Sequence, residues 1–306
     1  MSRPLPELPG VEHRWVDAGG VRLHVAEAGE GEPVVCVHGW PQNWWEWRGL
    51  IPVLAEGYRV ICPDLRGLGW SEAPRMGYEK EQFASDIAAL LDTLGLKDVR
   101  LIGHDWGGVA CFILCVRRPD LVRQYLALNT AHSWPRMDGQ RIPDLRRFWY
   151  QFVISTPLVG QAFVRQLARL PAGESYRVTG SSRAWNEDDT RIFLGQFTER
   201  ARTWATVQTY RTFVTRELGD WVSGAYRDKR LTVQTLWLHG ADDPVIRPFM
   251  TEGTEDHADD LTVELVEGAG HFIADERPEL VVERALTFFA SAPTGGSSSS
   301  STSQAS

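Results

Sequence analysis

Four short segments of this 306-residue chain hold side chains whose types and neighbours suit nucleophilic chemistry. The segment Gly103-His104-Asp105-Trp106-Gly107-Gly108 lies between two apolar runs, VRLIG (99–103) and Val109 to Val116, where a strand passes into a helix. A turn sharp enough to expose a nucleophile strains its central residue and tolerates only small neighbours, and glycines stand two places either side of Asp105. The usual form is G-x-S-x-G; here a carboxylate takes the place of serine. Asp105 would also serve as a plain N-cap for the helix that follows. His38-Gly39-Trp40-Pro41 ends an earlier strand, where the backbone N–H of Trp40 could join that of Trp106 in stabilising an oxyanion. The same four residues would also make an ordinary turn fixed by Gly39 and Pro41. Gly240-Ala241-Asp242-Asp243-Pro244 offers a loop carboxylate, and Gly268-Ala269-Gly270-His271-Phe272 offers a histidine between small residues. Nucleophile, acid and histidine thus follow one another in the chain order of a triad built on an α/β sheet.

These segments need strands to carry them. EHRWVDA and VRLHVAEA, joined by Gly19-Gly20, read as a hairpin over 11–29. PVVCV (33–37), YRVICPD (58–64), VRLIG (99–103), LVRQYLALN (121–129), LTVQTLWLHG (231–240) and LTVELVEG (261–268) read as further strands. Helical patterns run through Trp44 to Leu54, about Glu79 to Leu94, Val109 to Val116 and about Pro278 to Ala290. Apolar strands alternating with helices predict an α/β fold with a mostly parallel sheet covered on both faces. The rhythm stops over 134–228, an Arg- and Trp-rich stretch broken by Pro143, Pro157 and Pro171 with no strong strand. A helical cap over 134–228, inserted after strand 6 into a core of 1–133 and 229–292, accounts for this. The Gly/Ser-rich tail 293–306 reads as disordered.

Composition narrows the partners. Lys and Arg number 32 against 40 Asp and Glu, a net charge of −8, and no basic cluster suits a nucleic-acid backbone. No apolar stretch approaches the ~18–20 residues of a membrane span, and no signal peptide is visible. Cys36, Cys62, Cys111 and Cys115 lie in apolar runs and read as reduced, buried thiols of a cytoplasmic protein, a monomer or homodimer. There is no third glycine for a dinucleotide site at Gly67-Leu68-Gly69, and no H-x-x-x-H or C-x-x-C for a metal, so no cofactor and no metal are expected. Thirteen tryptophans, four of them within Trp40 to Trp47, suggest an aromatic-lined cavity.

With those residues in view, the sequence resembles the α/β-hydrolase superfamily and, within it, the epoxide hydrolases. HGWP, DLRGLGWS (64–71), GHDWGG, GADDP and GAGHF carry the resemblance, which covers about residues 11–290. Esterases and lipases of this fold need serine where Asp105 stands. The branches that use aspartate are the epoxide hydrolases and the dehalogenases, in which the carboxylate attacks an sp³ carbon and water then cleaves the ester. Many dehalogenases carry Asn where this chain has Trp40, and fluoroacetate dehalogenases carry arginines where it has Trp106, Gly107, Gly108 and Val109. Some dehalogenases keep their acid after the sixth strand, but Asn129 there cannot ionise. The family pattern G-x-x-D selects Asp243 over Asp242.

The resemblance also implies two acidic O–H donors from the cap. Tyr150 in RRFWYQF (146–152) resembles the first, and Tyr210 in QTYRTFVTREL (208–218) the second. Tyr176-Arg177 and Tyr226-Arg227 repeat the Tyr-Arg pair, with Tyr226 too near Asp243 to sit over the site. The implied activity is hydrolysis of an ether bond, an apolar epoxide and water giving a vicinal diol through an ester on Asp105. His271, oriented by Asp243, activates the water, and the N–H groups of Trp40 and Trp106 hold the oxyanion. Trp40, Trp106, Phe272 and His132 are expected to line the pocket, His104 to be structural and His257, within EDHADD, to be solvated. The alternatives are a haloalkane dehalogenase using the same Asp-His-Asp set and a non-catalytic small-molecule-binding protein of this fold.

Overall fold

Valine, isoleucine and cysteine alternate along the central strands so that successive side chains enter opposite faces of one sheet. Val35 and Val37 pack into the apolar cluster on one side, Val34 and Cys36 into the cluster on the other. A computed structural model describes residues 3–132, 134, 148–170 and 185–291. It shows eight strands: β1 (Glu12–Ala18), β2 (Val21–Ala28), β3 (Glu32–Val37), β4 (Tyr58–Pro63), β5 (Val99–His104), β6 (Val122–Leu128), β7 (Gln234–Gly240) and β8 (Leu261–Val266). Their spatial order is β1-β2-β4-β3-β5-β6-β7-β8. The β1–β2 hairpin turns at Gly19 and Gly20, whose φ values of +60° and +91° only glycine adopts without strain. It joins β4 antiparallel, and every later pairing is parallel.

The chain steps from β3 outward to β4 and then back past β3 to β5. That reversal opens a crevice beyond the carboxyl ends of β3 and β5, where open α/β sheets bind ligands. The loops leaving those two strands carry Gly39-Trp40 and Asp105. Helices α2 (Lys80–Leu94) and α3 (Asp105–Arg117) cover one face of the sheet. Trp44, Trp47, α1 (Ile51–Leu54) and the helix Pro278–Ala290 cover the other. Nearly all of α3 from Trp106 to Cys115 is buried, which its apolar sequence requires.

Local chemistry moves some boundaries. The helical pattern from Trp44 divides into a 3₁₀ segment, Trp44–Gly49, and the single turn of α1. Asn43 caps the first by accepting from Trp45 N at 3.1 Å, and Pro52 opens the second. Strand β7 begins at Gln234 and not at Leu231, which makes only an isolated bridge to Ala258.

Between β6 and β7 the described residues form helices and no strand: α4 (Trp149–Ser155), α5 (Pro157–Leu167), Glu187–Leu194, Arg200–Thr212 and Leu218–Ser223. Pro157 begins a helix, where its missing N–H costs nothing. Pro143, Pro171, Tyr176 and the tail 293–306 lie outside the described residues. A buried polar clasp holds this layer to the core. Arg48 pairs with Asp189 at 2.9 Å and with Asp275, which also accepts from Gln42 at 2.8 Å and from the indole of Trp185 at 2.9 Å.

Candidate active site

Asp105 stands at the first position of α3 with φ +46°, a left-handed conformation that costs a non-glycine residue energy. The backbone around it leaves no room for side chains: a Cβ at Gly107 would lie 2.3 Å from the carbonyl oxygens of Val37 and His38. At Gly39 a Cβ would fall 2.4 Å from the Cβ of Asp105 and 2.7 Å from its Oδ2. Trp40 N donates to Oδ2 at 2.9 Å, so a backbone donor already holds one carboxylate oxygen. Trp106 is the next residue in α3, among the first-turn N–H groups that have no partner within a helix. The Trp40-Pro41 peptide is cis.

His271 reaches the other oxygen. Its Nε2 lies 3.8 Å from Asp105 Oδ1, too far for a hydrogen bond, while its Nδ1 lies 2.9 Å from Asp243 Oδ2. Asp243 is wholly buried. Its Oδ1 accepts from Val245 N at 2.7 Å and Ile246 N at 2.9 Å, and Oδ2 accepts from Asn129 Nδ2 at 2.7 Å. Burial alone would push this carboxyl up; the His271 and His239 rings and the Asn129 amide outweigh it and hold it below its ordinary value. An ionised Asp243 makes His271 Nδ1 the donor and leaves the Nε2 lone pair facing Asp105. The neighbouring Asp242 donates its backbone N–H to the carbonyl of Ala269 at 3.0 Å.

Behind Asp105, Asp243 and His271 lie residues that the sequence alone does not mark as catalytic. Asn129, φ +35°, ties three strand ends together: it bonds Asp243, accepts from Gly240 N at 3.1 Å and donates to Gly270 O at 3.0 Å. In the sequence Asn129 is marked only by its place just after β6. His104 donates Nε2–H to the carbonyl of His271 at 2.9 Å, and its Nδ1 lies 2.9 Å from Glu46 Oε1. Burial opposes the imidazolium, but the carboxylates of Glu46 and Asp105 outweigh it and lift its pKa to about 9.

A cavity of about 600 Å³ opens at Asp105 and Trp106. Tyr150, Phe213, Trp221 and Trp134 supply aromatic wall, and Asp105 is one of few charged groups on it. Tyr150 and Tyr210 face each other edge to face at 6.0 Å between ring centres. Tyr210 also meets Trp106 at 5.8 Å and Trp40 at 5.3 Å. Burial, with the negative charge of Asp105 added, raises both phenols above their ordinary pKa, so they remain O–H donors at neutral pH.

The four expected pocket residues part company. Trp106 and His132 line the cavity. Trp40 packs its ring against Phe197 and Tyr210, and Phe272 is buried against His271, His104 and Trp185, so neither side chain is part of the cavity wall. His132 accepts from Trp134 N at 2.9 Å, and burial drives its pKa down to about 3, leaving it neutral. His257 lies on the wall, stacked on Trp134 at 4.7 Å, where the sequence suggested solvent. Among the described residues no group of three His, Cys, Asp or Glu could hold a metal ion, and no helix is long and apolar enough to cross a membrane. All four cysteines are buried and unbridged.

A strained aspartate after a central strand, a second carboxylate and a histidine on later strand ends, and a helical layer over them define a hydrolase of the α/β type. The chain belongs to the α/β-hydrolase fold family, whose model matches residues 32–278. It is 33% identical over 290 residues to a protein named soluble epoxide hydrolase from a Corynebacterium species, spanning 92% of this chain and 98% of that one. Epoxide hydrolase A of Mycobacterium tuberculosis is 30% identical over 318 residues, spanning 90% and 96%. The solved structure described as epoxide hydrolase CorEH without ligand superposes with a TM-score of 0.79 at 30% identity, covering 92% of this chain and 99% of that one.

Proposed function

We propose that the protein opens an epoxide to a vicinal diol through a covalent ester on Asp105. One observation carries the reading: the strained position holds a carboxylate, one oxygen already bound by Trp40 N–H, facing an apolar cavity walled by Tyr150. A carboxylate cannot act as serine does in acyl transfer, but it displaces an oxygen from an sp³ carbon once that oxygen is protonated. The relatives named epoxide hydrolases support this choice of substrate over a halide.

Tyr150 and Tyr210 hydrogen-bond the epoxide oxygen while Asp105 Oδ1 attacks a ring carbon from the opposite side. The C–O bond of the ring breaks, a phenol proton passes to the alkoxide, and an ester joins Asp105 to the substrate. His271 Nε2 then takes a proton from water as the hydroxide adds to the carboxyl carbon. The oxyanion that forms on Oδ2 is held by Trp40 and Trp106 N–H. Collapse expels the diol oxygen, which is protonated by the imidazolium. The proton released by the regenerated carboxyl restores the phenol. Atoms balance: the diol keeps the epoxide oxygen and one oxygen of Asp105, and the water oxygen remains on Asp105.

Single turnover in H₂¹⁸O tests the scheme. The expected first diol carries no solvent label, and the label appears in the Asp105 peptide. Diol labelled in the first turnover would mean direct attack by water. Halide release from a bromoalkane without diol formation from any epoxide would instead make the protein a dehalogenase.

A further inference from the structure

Lys80, the first residue of α2, is completely buried, an uncommon place for a lysine unless its charge is paired. Its three ammonium donors are all engaged: Glu217 Oε2 at 2.9 Å, the carbonyl of Thr209 at 2.8 Å and the carbonyl of Tyr78 at 3.2 Å. Glu217 also accepts from the backbone N–H of Lys80 at 2.6 Å. The same ammonium lies 4.7 Å from the ring centre of Trp106 and 5.4 Å from that of Phe213, within cation–π range.

These contacts join two parts of the site that arise far apart in sequence. Thr209 immediately precedes Tyr210 on the helix Arg200–Thr212, and Thr212 Oγ1 donates to the Tyr78 carbonyl at 2.9 Å. The helix then widens into a π turn, Phe213–Glu217, a distortion common at functional positions. That turn sets Phe213 against Trp106 at 4.9 Å and returns Glu217 to Lys80. Trp106 follows the nucleophile directly.

Resting on the reading above of Asp105 and Tyr210, we propose that Lys80 is a positioning residue for ring opening. Clamped by Glu217, its ammonium holds the Tyr210-bearing helix against the indole of Trp106 and so fixes the phenol relative to Asp105. The pair spends two buried charges on alignment, where two apolar residues would fill the same space.

Pre-steady-state kinetics on a styrene-type epoxide separate the ester-forming step, which needs Tyr210, from ester hydrolysis, which needs His271. Lys80→Met is the direct variant. Lys80→Met/Glu217→Met is its partner, because replacing a buried pair by apolar residues of similar size leaves no unpaired charge and preserves folding. In both, ester formation is expected to slow about 10- to 100-fold while hydrolysis changes less than about threefold. Tyr210→Phe, costly alone, should add less than about threefold in the Lys80→Met background. A merely structural lysine would lower Tm without dividing the two steps. Ester formation within about threefold of wild type in the double variant, or a full Tyr210→Phe penalty in the Lys80→Met background, overturns the proposal. If Tyr210→Phe alone leaves ester formation unchanged, the assignment of Tyr210 fails first and carries the role of Lys80 with it.

Discussion

The amide nitrogen of Trp40 lies 2.9 Å from Oδ2 of Asp105, so this carboxylate rests against a backbone donor. On the proposed mechanism such preorganisation leaves Oδ1 to attack and Oδ2 to become the oxyanion. It exists because residue 39 has no side chain, a Cβ there falling 2.4 Å from that of Asp105. Gly39→Ala is therefore expected to lower kcat by roughly 10²–10³, the scale for losing an oxyanion donor, with Tm changed by only a few degrees. Steady-state rates and thermal unfolding check this; activity within twofold of wild type would show that this amide does not serve the reaction.

The spacing around His271 is unequal, 2.9 Å to Asp243 and 3.8 Å to Asp105, so the imidazole is anchored to Asp243 with its Nε2 turned toward Asp105. Removing the base should stop the cycle after its first half. His271→Gln is expected to gain the mass of one epoxide molecule, localised to the peptide carrying Asp105, and Asp243→Asn to show the same adduct decaying slowly. Intact-protein and peptide mass spectrometry read both. Asp105→Asn, which cannot form the ester, serves as the blank.

On the proposed mechanism both phenols donate to one epoxide oxygen, and their losses are expected to multiply in rate. Tyr150→Phe and Tyr210→Phe are each expected to slow ester formation by about 10- to 100-fold, and the pair by ~10²–10⁴, the usual span for general-acid work. A bromoalkane provides the control, because a halide leaves without a proton. If the double variant loses bromoalkane turnover as fully as epoxide turnover, the phenols shape the pocket and donate nothing.

Much of this arrangement is readable in the sequence for a plain geometric reason: the carboxyl ends of parallel strands in one sheet share one edge, so loops far apart in the chain meet there. Gly103 to Gly108, Gly240 to Pro244 and Gly268 to Phe272 each follow such a strand, and Asp105, Asp243 and His271 converge accordingly. The supporting shell is harder to see. Glu46 sits in a tryptophan-rich stretch and meets His104 only because the 3₁₀ segment Trp44–Gly49 turns it inward. His257 lies among acidic residues that point to solvent, yet its own ring turns onto Trp134. Lys80 gives no sign of burial, because its partner Glu217 is 137 residues away. Contacts between distant segments leave no periodicity to find.

The buried pair of His104 and Glu46 ties this shell to pH. The folded-state pKa of His104 is raised from 6.5 to about 9, burial opposing and Glu46 prevailing. A group whose pKa rises on folding contributes stability that is complete below its unfolded value and is lost as pH climbs through its folded one. Its contribution is therefore full below about pH 6.5 and absent above about pH 9. The size is on the order of 3 kcal/mol, from about 1.4 kcal/mol per unit. Glu46→Gln removes the carboxylate that sustains the cation, so urea unfolding from pH 6 to 10 should show the variant weaker at pH 6 and the gap closing toward pH 10. A stability gap that stays constant with pH would mean that Glu46 packs beside His104 without sustaining its charge.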